Sequence, residues 1–186
     1  LPGEAEALGL LALMELQASR IPARTQADGT PILLAEQNRA RWDRLQIQRG
    51  LQALERAQRL GGAQGPYALQ AAIAACHARA LHMEDTDWAR IAALYALLAQ
   101  AAPSPVVELN RAVAVGRAFG ADAAMPIVEG LSSVPHLRGY APLHAVRGDL
   151  LQQLARHQEA RAEFERAADL TGNARERDVL LARAAA

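Results

Sequence analysis

The sequence predicts an all-α protein built from helical hairpins, and three features carry that prediction. Of the 186 residues, 51% are hydrophobic, mainly Ala and Leu, the types that favour helices. Val, Ile and Thr are few and aromatics make up only 4%, so the residue types that favour strands are scarce. One apolar spacing also returns about every 34 residues, each time followed by a helix breaker.

The elements follow in order. "PGEAEALGLLALMELQASRIPAR" opens with Pro2, Glu4 and Glu6, suited to the positive end of a helix, and continues with Leu8, Leu11, Leu13 and Leu16. It predicts a helix over about 3–20. In "TQADGTPILLAEQNRARW", Asp28-Gly29 and Pro31 mark a turn that helical periodicity does not cross, giving an irregular turn at 21–38. A second helix is expected across "ARWDRLQIQRGLQALERAQRL", with Trp42, Leu45, Leu51 and Leu54 near one face and Gly61-Gly62 as its stop. Residues 1–64 thus form an N-terminal helical subdomain.

From Gly65 the helices come in pairs. Ile91, Tyr95 and Leu98 precede Pro103; Ala124, Val128 and Leu131 precede Pro135; Ala160, Phe164 and Ala167 precede Gly172. Positions 0, +4 and +7 form one stripe of a helix, and the breaker forces the chain to turn into another. Each copy follows a further apolar helix, in "PYALQAAIAACHARAL", "PVVELNRAVAVG" and "APLHAVRGDLLQQLA". The period matches the tetratricopeptide repeat, whose hairpins bury their faces against their neighbours. The expected fold is therefore helical hairpins stacked as a tetratricopeptide-like right-handed superhelix, with pairs at about 65–103, 104–136 and 137–174 and a C-terminal helix to 186. Small residues, Gly148 among them, let paired helices approach closely.

Charge narrows the function. The 20 basic residues, all Arg, balance 20 acidic ones, so no net field draws the chain onto phosphate backbones or anionic lipid. Cys76 is the single cysteine and fits a reducing cytoplasm, the expected location. No apolar run reaches the roughly 18–20 residues of a membrane span, and no partner is expected in a membrane. The chain starts at Leu1 rather than Met, as expected of a segment of something longer.

Several residues invite a chemical reading. Cys76, His77, His82, Asp85 and Asp87 fall within twelve residues, but His77 and His82 stand roughly 140° apart on a helix, which does not suit a zinc site. "EDTD" reads instead as an acidic cap before a helix starting near Trp88. Ser19, Ser104, Ser132 and Ser133 all sit at helix ends or turns, and no nucleophile elbow, phosphate loop or paired-carboxylate motif occurs. The expectation is a non-enzymatic protein without metal or cofactor. Arg39, Arg41 and Trp42 in "EQNRARWD" have the composition of an interface hot spot, against the plainer reading of Trp42 as a core anchor. Asn110, Arg111 and Arg117 on one first helix, and Asp149 and Gln152 on the next, would line the concave face of a repeat array and grip a partner.

The ordered motifs "LGLLALMELQASRIPAR", "DGTPILLAEQNRARWD", "GPYALQAAIAACHA", "TDWARIAALYALL", "SPVVELNRAVAV" and "GDLLQQLARHQEARAEFERAADL" span nearly the whole chain. In order and spacing they resemble the C-terminal helical extension of one group of extracytoplasmic-function (ECF) sigma factors of RNA polymerase, within the sigma-70 family. Asn38 stands where that family's wording carries an Asp. The resemblance implies a regulatory domain in transcription initiation. Its partners would be sigma regions 2 and 4 of the same full-length protein, RNA polymerase, or a signalling protein, with DNA reached only through sigma regions that this sequence lacks. Two other roles fit the residues alone. One is a small-molecule sensor with a pocket lined by Trp42, Tyr67 and His77; the other is a structural or oligomerisation module.

Overall fold

A computed structural model describes residues 2–27, 29–30 and 32–185. Leu1, and the Asp28 and Pro31 on which the expected turn rests, lie outside the described residues. Among the described residues the regular elements are helical: nine α-helices, four short 3-10 turns and no β-strand. No helix among them is long and apolar enough to cross a membrane. The chain divides into two compact units, 1–103 and 104–186.

The first unit holds α1 (Pro2–Ala18), α2 (Arg44–Arg59), α3 (Pro66–Arg79) and α4 (Trp88–Ala101). Helix α1 packs along both α2 and α3, and Ala12, Leu16, Ala53, Leu54, Ala68, Ala71 and Ala75 share one core. The helices expected to form a subdomain ending at residue 64 therefore share their core with α3, and the chain divides after Pro103 instead.

The inner face of α1 is built mostly of small residues, and that of α2 differs from the expected one. On α1 the buried positions are Ala5, Gly9, Ala12 and Leu16, whereas Leu11 is 47% exposed. The inner side is a row of small residues, and a Cβ on Gly9 would lie 2.8 Å from the backbone nitrogen of Ala68. Helix α2 begins only after Trp42, because the Asp43 carboxylate accepts hydrogen bonds from the backbone N–H groups of Leu45 (2.9 Å) and Gln46 (3.0 Å) and caps the helix there. Its core stripe is Ile47, Gly50, Leu54 and Ala57. Leu45 is nine residues from Leu54, about 180° around the axis, and is 60% exposed.

The second unit contains α5 (Pro105–Phe119), α6 (Ala121–Ser132), α7 (Ala141–Gln153), α8 (His157–Leu170) and α9 (Ala174–Ala184). Helices α5 and α6 form one hairpin and α7 and α8 another, with α6 packed on α7 and α9 on α8. The recurring stripes face inward. Ala124, Val128 and Leu131 on α6, and Ala160, Phe164 and Ala167 on α8, are all buried, as are Ile91 and Leu98 on α4, with Tyr95 half-buried. At Gly148 of α7, a Cβ would stand 2.7 Å from the ring of Phe164, so only glycine lets α8 come this near.

Candidate functional site

Between α1 and α2 the chain makes three 3-10 turns, and the last, Arg39–Arg41, delivers an arginine to the interior. Asn38 caps this turn by accepting from the Ala40 N–H at 3.0 Å, a task an amide oxygen performs as well as a carboxylate. Arg39 is buried, and its Nη1 donates to the carbonyls of His77 and Ala80, both at 3.0 Å. Its Nη2 donates to Thr86 Oγ1 at 2.9 Å and to Met83 Sδ at 3.2 Å. These carbonyls belong to the C-terminal end of α3, where the last turn has no helical donors and the helix dipole is negative. One guanidinium thus closes α3 and fixes the path into α4.

Trp42, also buried, lies beneath both Arg39 and Arg20, each guanidinium carbon 5.4 Å from the ring centre. Its Nε1 is buried without a hydrogen-bond partner among the described residues. Of the three residues singled out in "EQNRARWD", Arg39 and Trp42 are therefore internal and Arg41 alone is exposed. The plainer reading of Trp42, a core anchor, is the one its burial matches.

His77 is buried beside this cluster, with its ring edge-to-face against Trp88 at 5.3 Å. Burial, followed by the positive charges of Arg39 and Arg20, lowers its pKa to about 4, so the imidazole is neutral at pH 7. Tyr67 and His77 stand at opposite ends of α3, ten residues or about 15 Å apart, and Tyr67 is exposed. A small pocket lined by Trp42, Tyr67 and His77 together does not form for that reason. Two open grooves flank the α3–α4 connection instead. One of about 500 Å³ is lined by Cys76, Arg79, Leu81, Asp85 and Arg90, and one of about 300 Å³ by Gln37, Asn38, His82 and Glu84. Burial pushes the Cys76 thiol pKa up, away from the reactive thiolate. Asp87 caps α4 by accepting from the Arg90 N–H at 2.9 Å, and no cluster of three metal-ligating side chains occurs among the described residues.

In the second unit, Arg117 of α5 and Asp149 of α7 line one crevice of about 50 Å³ with Gly116 and Gln153. Asp149 also pairs with Arg183 of α9, whose guanidinium lies 4.4 Å from the centre of the Phe164 ring. Gln152 is half-buried, and Gln153 holds the crevice position in its place. Asn110 is exposed on α5, whereas Arg111 is committed to Glu108 at 2.7 Å. A further cluster, unmarked in the sequence, joins α7 and α8. His144 is buried with Nδ1 2.7 Å from Glu163 Oε2 and Nε2 3.1 Å from the carbonyl of Arg138, and Arg147 pairs with the other Glu163 oxygen. It ties α7 and α8 to the turn before them, and no local spacing marks it because Glu163 is nineteen residues from His144.

Asn38, Arg39, Asp87, Asp149, His144 and Glu163 cap helices and turns or cross-link them, and fold and geometry together define a helical-hairpin protein with open grooves on its surface. A model for a family of unknown function (DUF6596) matches residues 1–58, which cover α1, the irregular stretch and most of α2. An uncharacterized protein of Rhizobium meliloti (strain 1021) is 49% identical over 175 residues, which is 94% of this chain and 41% of that relative. The chain thus spans less than half the length of the curated relative it matches. No solved structure matches.

Proposed function

We propose that this chain is a regulatory protein-interaction domain of an ECF-type RNA polymerase sigma factor, acting in the cytoplasm and by docking rather than by catalysis. The observation that carries the reading is a helical scaffold with exposed large apolar side chains on α1, where Leu10 is 37%, Leu11 47% and Met14 61% exposed. The ordered motifs that resemble the sigma-factor extension, and a similar relative more than twice as long as the aligned region, support it. In this reading the chain contacts sigma regions 2 and 4, polymerase or a signalling protein. It biases the sigma factor between competent and idle arrangements by binding one more tightly than the other. The experiment is promoter-dependent transcription by the full-length polypeptide with and without this segment. A change of several-fold in either direction is expected, and equal transcript yields would refute the proposal.

A further inference from the structure

Helix α1 is apolar on two opposite sides. Ala5, Gly9, Ala12 and Leu16 face the core, and at 100° per residue Ala7, Leu10, Leu11 and Met14 fall on the far side, where all four are exposed. Residues 7–14 carry no polar side chain at all. A helix that lies on a protein surface normally turns a polar face to water, and one apolar all round is normally covered. Two of its acids turn away from the patch: Glu15 turns to Arg49 of α2, and the Glu6 carboxylate accepts from the Tyr67 N–H at the start of α3, while the exposed Glu4 marks the N-terminal edge of the patch, one turn before Ala7.

The size of the patch indicates what covers it. Three large side chains exposed to 37%, 47% and 61% present on the order of 300 Å² of apolar surface, well under the roughly 800 Å² per partner of a stable untethered interface. A second copy of the chain would gain too little from it at ordinary concentrations. An occupant carried by the same polypeptide meets it at a millimolar effective concentration, where a small patch suffices. The similar Rhizobium meliloti protein, of which the aligned region is 41%, is long enough to carry such an occupant. We propose that the outer face of α1 is the docking seat for an amphipathic helix of the sigma segment in the same polypeptide, which lays an aliphatic stripe along Ala7, Leu10, Leu11 and Met14. This rests on the sigma-factor reading above and names the surface through which it works. It follows the helix-in-groove mode, in which residues three and four apart anchor the partner.

The three methionines supply the test. Met14 is 61% exposed, Met83 is half-buried against Arg39, and Met125 is 6% exposed. The full-length polypeptide and the isolated chain are each treated with hydrogen peroxide, and oxidation of each methionine is followed by mass spectrometry. In the isolated chain Met14 reacts fastest. In the full-length polypeptide its rate is at least tenfold lower while the rates of Met83 and Met125 hold, and Leu10→Glu restores fast Met14 oxidation with helix content unchanged. Equal Met14 rates in the two, with promoter-dependent transcription still altered by removal of this segment, overturn the seat while sparing the sigma-factor reading. Equal Met14 rates together with equal transcript yields overturn both. Protection of Met14 in the chain alone, rising with its own concentration alongside a dimer in sedimentation, also overturns the proposal, since the occupant is then a second copy.

Discussion

Gly148→Ala adds a single methyl group to α7 at its closest approach to α8. The new Cβ would lie 2.7 Å from Phe164 Cε1, 2.8 Å from Cδ1 and 3.0 Å from Cζ. Carbon atoms rest about 3.5–4.0 Å apart, so the ring must retreat by about 0.8 Å or more. It has little room to do so, being 1% exposed with the Arg183 guanidinium over it at 4.4 Å. Overpacking of this kind costs about 1–3 kcal/mol, offset by about 0.5–1 kcal/mol from removing a glycine inside a helix. The expected net loss is roughly 1–2 kcal/mol, measured as a lower urea midpoint for the far-ultraviolet circular dichroism of the second unit's helices. Phe164→Leu in the Gly148→Ala background should recover about 1 kcal/mol relative to additivity, because a smaller side chain leaves space for the methyl group. Gly130 in α6 is the control: nothing lies within 4 Å of a Cβ there, so Gly130→Ala gains about 0.5–1 kcal/mol. Equal or greater stability for Gly148→Ala would refute the close-approach reasoning.

Two further perturbations probe the Arg39 cluster. Arg39→Lys replaces a fork that reaches two carbonyls, a hydroxyl and a thioether with one ammonium group, and should cost about 2–3 kcal/mol in urea denaturation, a loss below 0.5 kcal/mol arguing against the latch. His77 concerns pH. Its folded pKa of about 4 lies below the ordinary 6.5, so between these values the unfolded chain binds more protons than the folded one. The contribution is complete above about pH 6.5, shrinks as pH falls, and stops changing below about pH 4, for a total near 3 kcal/mol. Unfolding free energies at pH 7 and pH 5 should differ by about 2 kcal/mol from this group, and His77→Gln should remove that part of the difference.

The repeat stripes were legible because each is a helix with one wet and one dry side, so Val128, Leu131, Phe164 and their counterparts could be placed by period alone. The faces of α1 and α2 were not, because large side chains mark a core only where they fill it, and these seams are made largely of Ala and Gly. Leu11 and Leu45 point to solvent while Ala12 and Gly50 do the packing. Arg117 and Asp149, which the sequence places on successive first helices, line one crevice. The role of Arg39 could not be read. Its acceptors are backbone carbonyls and a hydroxyl 38 to 47 residues away, and no residue type marks a carbonyl at a helix end. His144 and Glu163 escaped notice for a related reason, since two ordinary polar residues on facing helices carry no signature of their own.

The alanine-lined seam of the first unit also affects the entropy of folding. Ala5, Ala12, Ala53, Ala57, Ala68, Ala71 and Ala75 are buried without a side-chain torsion to freeze, so closing these helices on one another forfeits almost no rotamer freedom. The same economy sets backbone directly against backbone at the closest approach, as at Gly9 against Ala68. A bulkier substitution there has no flexible neighbour to absorb it, and the strain passes directly to the relative placement of whole helices, including the one that displays Met14.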